Sequence, residues 1–182
     1  MVRAFLTILG LVFISSLLVL GGALYTFQKF GQDLPEHRLL AKYEPPVMTR
    51  IHAGDGRLLA EYAIQKRVFV PLTAMPKRVI NAFLAAEDRN FYEHSGIDPL
   101  GVLRAILTNI KNIGKQRRMV GASTITQQVA KNFLLTPEVS WRRKIKEAIL
   151  AIRIEKALTK KRILELYLNE IYLGFGAYGV AA

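Results

Sequence analysis

The sequence predicts a mainly helical domain that follows a single membrane-spanning helix and a small β-hairpin element. Three observations carry this reading. Residues Ala4 to Gln28 contain no charge. The stretch Ala53-Gly54-Asp55-Gly56-Arg57 has hairpin-turn chemistry between two candidate strands. From Pro76 onward, apolar residues recur at helical spacing nearly throughout.

The uncharged run is about 25 residues long, and a membrane-spanning helix needs about 20. Tyr25 and Phe27 sit where an interfacial aromatic belt would begin. A cleavable signal peptide is the competing reading, with Gly21-Gly22-Ala23 as its cleavage site. The apolar core of a signal peptide spans only about 7–15 residues, so an uncleaved anchor is favoured. Arg3 precedes the span, and Lys29 and Arg38 follow it. The charge rule for orientation is therefore weak, and export rests on the tendency of a long following domain to translocate. The expected division is a cytoplasmic tip at 1–3, an anchor at 4–28, a linker at 29–46, the β element at 47–70 and the helical domain at 71–182.

There is no cysteine among the 182 residues, which excludes disulfides and thiol chemistry. The formal net charge of +12 suggests an anionic partner. On an anchored domain, phospholipid headgroups or a phosphate-bearing lipid substrate fit better than nucleic acid.

Pro35, Pro45 and Pro46 oppose regular structure in the linker. Val47 to His52 and Leu58 to Tyr62 read as the hairpin strands, and Val68-Phe69-Val70 as a third. Pro76 suits a first helical turn, and Val79, Ile80, Phe83 and Leu84 recur at helix spacing. Glu87 lies four residues after Phe83 and so continues the apolar face. Burial there would disfavour its charged form, one route to a proton-transfer group. A capped turn with a satisfied core histidine, His94, is the other reading of this stretch.

Asp98-Pro99 opens another helix, with Leu100, Leu103, Ile106, Leu107 and Ile110 as its expected buried stripe. Lys111 to Arg118 reads as a mobile basic loop, either solvated or in contact with anionic lipid or substrate. Thr124 with Gln127 fits a capping box, and such a helix start gathers free N–H groups suited to an anion. Gln128 and Lys131 share a face. A long helix opens at Trp141. Its Glu147 lies on the strip of Leu150, Ala151, Ile154 and Leu158, with Arg143 one turn earlier, while Arg142, Lys146 and Arg153 form a separate basic face. A final helix is expected from Thr159 through Leu173.

Together these stretches resemble the peptidoglycan glycosyltransferase family. The matching motifs are Glu87-Asp88 with Phe91, His94 and Gly96; Gly121 with Ser123-Thr124-Ile125-Thr126-Gln127-Gln128, Lys131 and Asn132; Arg143-Lys144 with Glu147; and Ile163-Leu164-Glu165 with Tyr167-Leu168-Asn169 and Gly174. The hairpin around Asp55 is similar to the amino-terminal element of class A penicillin-binding proteins.

The resemblance implies a lysozyme-like fold on the outer side of the cytoplasmic (inner) membrane. It implies polymerisation of lipid II into β-1,4 glycan with release of undecaprenyl pyrophosphate. Glu87 would be the base and Glu147 the second catalytic carboxylate. Asp88, Phe91, His94, Ser123, Thr124, Gln128, Lys131, Asn132 and Arg143 would bind substrate. A divalent cation, magnesium or manganese, would sit on the pyrophosphate. The implied partners are lipid II, growing glycan, membrane lipid and other cell-wall synthesis proteins, with no nucleic acid. Whether Glu147 holds that cation or orders Arg143 stays open.

The family's fifth motif would begin at Ala182. The domain is therefore expected to be incomplete here, with a penicillin-sensitive transpeptidase domain to follow. Ser123 is no substitute for that domain's nucleophile, because no Ser-x-x-Lys pattern follows it. A membrane-bound lytic enzyme and a non-catalytic cell-wall scaffold are the alternatives.

Overall fold

An uncharged run that closes its own backbone hydrogen bonds forms α1, Val2–Gly31. The computed structural model describes residues 2–32, 34–43, 49–62, 66–115, 117 and 119–181. Within α1, Leu6–Gly31 has a mean hydropathy of 2.3 and is long and apolar enough to cross a membrane. Its last turn is docked. Gly31 is buried, its carbonyl accepts from Arg153 Nη2 at 2.9 Å, and Phe30 meets Trp141 edge-on at 6.0 Å.

The expected linker is not a free tether. Its described part holds a 3-10 turn, His37–Lys42, that buries Leu40 in the core. Tyr43 stacks edge-on against Phe133 at 4.8 Å, and its carbonyl accepts from Arg162 Nη2 at 2.9 Å. Pro45 and Pro46 lie outside the described residues.

The hairpin forms as expected from β1, Thr49–His52, and β2, Leu58–Tyr62, in antiparallel register with an irregularity at Ile51/His52. Val47 and Met48 lie outside the described residues. At the turn, Asp55 accepts from the Arg57 N–H at 3.0 Å, which holds its carboxyl below the usual range. Val68–Val70 form no strand. The third strand is β3, Lys66–Arg67, and Val70 is instead bracketed by the Asn169 amide. That side chain accepts from the Val70 N–H at 2.8 Å and donates to its carbonyl at 2.9 Å, supplying what a neighbouring strand would.

Among the described residues the domain is built by the α-helices α2, Lys77–Glu87; α3, Pro99–Lys111; α4, Ile125–Leu134; α5, Trp141–Ala157; and α6, Lys160–Glu170. The core is formed by α4, α5 and α6. Ile125, Val129, Leu150, Ile154, Ile163, Leu164, Tyr167 and Leu168 are buried there with Phe91. Each such side chain contributes roughly 1.5–3 kcal/mol over leaving it in water.

Helix α6 is shorter than expected. It stops at Glu170, and the chain returns through β4, Tyr172–Gly174, and β5, Ala177–Tyr178. The turn between them needs positive φ at Gly174, Phe175 and Gly176, which no helix accepts. Strand β5 pairs with β4 and, in parallel, with β3.

Helix α3 departs most from expectation. Asp98 caps it as read, accepting from the Gly101 N–H at 2.9 Å, and that bond lowers its carboxyl pKa. The stabilising contribution of the cap is thus present at neutral pH and fades as pH falls through the acidic range. The expected buried stripe, however, faces outward: Leu100, Leu103, Ile106, Leu107 and Ile110 are all exposed, and only Ala105 is buried. The periodicity correctly marked one apolar face, but that face points away from the protein core. Across the basic loop that follows, Asn109 of α3 pairs with the Val120 backbone at 2.8 and 3.1 Å. Gln116 and Arg118 of that loop lie outside the described residues.

Candidate active site

Helix α2 ends at Glu87 with its side chain in the open. This contradicts the burial expected from its spacing after Phe83. The face is continuous, but it runs off the end of the core there and meets a cleft. The next residue, Asp88, takes the buried place. It caps α2 and accepts from His94 Nε2 at 3.0 Å and from the Ile125 N–H at 3.0 Å. The Gly96 N–H donates to His94 Nδ1 at 3.2 Å, so Nε2 is the nitrogen that carries the proton toward Asp88.

The capping box forms at the start of α4 as expected, with Thr124 and Gln127 satisfying each other's N–H groups. Thr124 Oγ1 also donates to the Gly96 carbonyl at 2.7 Å. The anion expected at this helix start is therefore the protein's own Asp88. Its carboxylate and the Gln127 side chain occupy the N–H groups of Ile125 and Thr124. Asp88, Phe91, His94 and Thr124 were expected to contact substrate. Asp88, Phe91 and Thr124 are buried and His94 is half-buried, and their contacts pin the Glu87 segment to α4; Asp88 and Thr124 also line a cavity beside Glu87. Lys160 braces the same segment from behind. It donates to the His94 carbonyl and to Glu155 Oε1, both at 2.7 Å, and lies 4.3 Å from the Phe91 ring centroid.

Most of the other expected residues converge. Glu87, Ser123, Gln128, Lys131, Arg143 and Glu147 line one cleft of about 570 Å³. Gln128 Nε2 donates to Glu87 Oε2 at 2.9 Å and fixes that carboxylate at the rim. Glu147 is only 1% exposed, as its place on the apolar strip required. Its Oε1 lies 3.0 Å from Arg143 Nε, a contact of charge without hydrogen-bond alignment. Lys131 is exposed and forms no ion pair among the described residues. Asn132 lies outside this cleft and lines a neighbouring cavity shared with Lys131 and Arg143.

The third motif also contributes Lys144. It donates to Glu147 Oε2 and to Ser123 Oγ, each at 2.6 Å, and so links two motifs across the cleft. Its spacing of three residues from Glu147 was the available signal.

On the other side of Glu87 is a second cavity of about 230 Å³, walled partly by Arg89 and Arg104. Glu87 thus stands on the ridge between two cavities. Beneath it is Tyr167, whose phenol pKa is pushed up by burial and further by the charge of Glu87.

A carboxylate at a ridge, with cations facing it across one cavity, is an arrangement that suits transfer between two bound substrates. The sequence model described as Transglycosylase matches residues 55–182, which include every residue of this site. The chain belongs to the transglycosylase family. It is 57% identical over 158 residues to penicillin-binding protein 1A of Rickettsia felis, covering 87% of this chain and 20% of that protein. Identity is 51% over 151 residues to penicillin-binding protein 1A of Aquifex aeolicus, covering 83% of this chain and 20% of the relative. It is 46% over 162 residues to that of Escherichia coli, covering 88% and 19%. The chain therefore spans about a fifth of the length of the curated relatives it matches. Its apolar first helix fits the single-pass anchor read from the sequence.

The transglycosylase site does not by itself form a cage for a divalent cation. Among the described residues no three His, Asp or Glu side chains converge, and both Glu147 oxygens face cationic side chains. Of the two roles left open for Glu147, this donor set fits the ordering of Arg143, and of Lys144 with it.

Proposed function

We propose that this transglycosylase polymerises lipid II, joining the reducing end of a growing glycan to the incoming disaccharide. The observation that carries this reading is the shared cleft, with Glu87 at one rim and Lys131, Arg143 and Lys144 within reach of the same space. The acceptor sits in the smaller cavity beyond Glu87, and the donor pyrophosphate in the cationic cleft. Glu87 takes the proton from the acceptor 4-hydroxyl as its oxygen attacks the anomeric carbon, inverting it. The bond from that carbon to the pyrophosphate oxygen breaks, and the leaving group's charge is met by the three cations. Glu147 keeps Arg143 and Lys144 aimed before substrate arrives. A lytic enzyme also needs a carboxylate, but cleaving finished glycan calls for no such cradle.

In this reading the domain lies on the outer face of the cytoplasmic membrane, where the lipid II headgroup is displayed. The outward apolar face of α3 enters the same bilayer. In water each of its five large side chains would forgo roughly 1.5–3 kcal/mol of burial. The test is incubation of the full-length protein with labelled lipid II. Polymer bearing a pyrophosphate-lipid terminus is expected, whereas release of fragments from finished glycan with no polymer would overturn the assignment.

Lys131→Ala and Arg143→Ala are each expected to lower turnover, by about 10²–10³-fold where a positioned charge stabiliser is lost. The exposed Lys131 should fall at the lower end and leave the melting temperature unchanged. If Arg143→Ala lowers only the melting temperature, with activity per folded molecule intact, its role is to pair with Glu147 and not to meet the leaving group.

A further inference from the structure

Arg143 also walls a basic cavity on the side away from Glu87, which the proposed reaction does not use. This cavity, of about 430 Å³, lies where the last turn of α1 meets the start of α5. Lys29, Arg142 and Lys146 line it, with Glu138 the one acidic side chain facing them among the described residues. Among the described residues none of the three cations forms an ion pair. The contacts seen are aromatic: Lys29 Nζ lies 5.6 Å from the Tyr25 ring centroid, and the Arg142 guanidinium 5.8 Å from that of Trp141. Three like charges gathered around one carboxylate leave a positive hollow that favours an anion.

Its position says which anion. Phe30, from the end of the apolar span, forms part of the wall, so the opening lies at the level where a bilayer ends. Tyr25 and the exposed Trp141 mark the same level, as aromatic side chains do at a membrane–water interface. Basic side chains just beyond a membrane span meet lipid phosphates. We propose that this cavity binds the headgroup phosphate of an anionic membrane phospholipid, at a site separate from the donor cleft. The inference rests on α1 spanning the membrane.

Trp141 is the only tryptophan in the chain and packs against Phe30 at the cavity, so its fluorescence reports what sits there. The chain is reconstituted in phosphatidylcholine vesicles with a fixed fraction of phosphatidylglycerol. Bromine is placed on the phosphatidylglycerol in one set and on an equal amount of the phosphatidylcholine in the other, so the surface charge stays the same. In the wild type, bromine on the anionic lipid is expected to quench Trp141 more strongly. In the triple variant Lys29→Gln/Arg142→Gln/Lys146→Gln the ratio of the two quenchings should fall to one. A control with equal charge loss elsewhere, Lys77→Gln/Arg78→Gln/Lys161→Gln, should keep the wild-type ratio. Equal quenching in the wild type, a preference that survives the first triple variant, or one lost equally in the control would overturn the site. Quenching by neither lipid would overturn the anchor as well, whereas quenching by both alike leaves the anchor standing and removes only the site.

Discussion

Glu87→Gln is expected to abolish glycan synthesis while leaving the fold intact. The side chain is exposed at the end of α2, so no core packing depends on its charge. A glutamine fills the same space and can still pair with Gln128, now at 2.9 Å from the carboxylate. What it cannot do is accept the acceptor's proton. Loss of a positioned general base typically slows a reaction about 10²–10⁴-fold. The measurement is polymer formation from labelled lipid II beside a thermal melt of the same preparation. Synthesis within a few-fold of wild type would remove Glu87 from the role of base. Glu93→Gln is the control, because that exposed side chain lies outside both cavities and should have little effect.

Gly96→Ala is expected to be among the most destabilising single changes in the domain. Gly96 has φ +99°, and a Cβ there would lie 2.7 Å from the Ala151 carbonyl carbon and 2.8 Å from its oxygen. These are backbone atoms of α5, which cannot turn aside. Positive-φ strain costs about 1–3 kcal/mol, and overpacking a further ~1–3 kcal/mol. For a domain of this size the melting temperature should fall on the order of 10 °C. Activity should fall too, because the Gly96 carbonyl and N–H tie Thr124 and His94 to the Glu87 segment. Gly114→Ala separates the two causes. Its φ is +81°, yet nothing lies within 4 Å of the added Cβ, so it carries strain without a clash. Equal losses at the two positions would show that the close approach to α5 is not what demands glycine at 96.

Interactions that close within one or two helical turns were legible in the sequence alone. The Thr124–Gln127 capping box, the Asp98 cap, the hairpin turn at Asp55 and the inward place of Glu147 beside Arg143 are all set by spacing along the chain. Local helix and turn geometry forces such residues together whatever the rest of the molecule does. The motif order carried the family as well, because several residue types had to recur in sequence.

The tertiary structure alone decided what each face meets. The α3 pattern is amphipathic either way, and a stripe of leucines and isoleucines does not distinguish a protein core from the outside. Glu87 followed its helix face correctly in direction, but only the packing of α4 and α5 shows that the core ends before it and a cleft begins. The Asp88 bond to the Ile125 N–H spans 37 residues, and the Lys144 bond to Ser123 spans 21. Contacts at such separations depend on how helices pack, which periodicity within one helix does not encode. For that reason the sequence did not show that Asp88 and His94 brace the Glu87 segment, or that Lys144 joins Ser123 to Glu147.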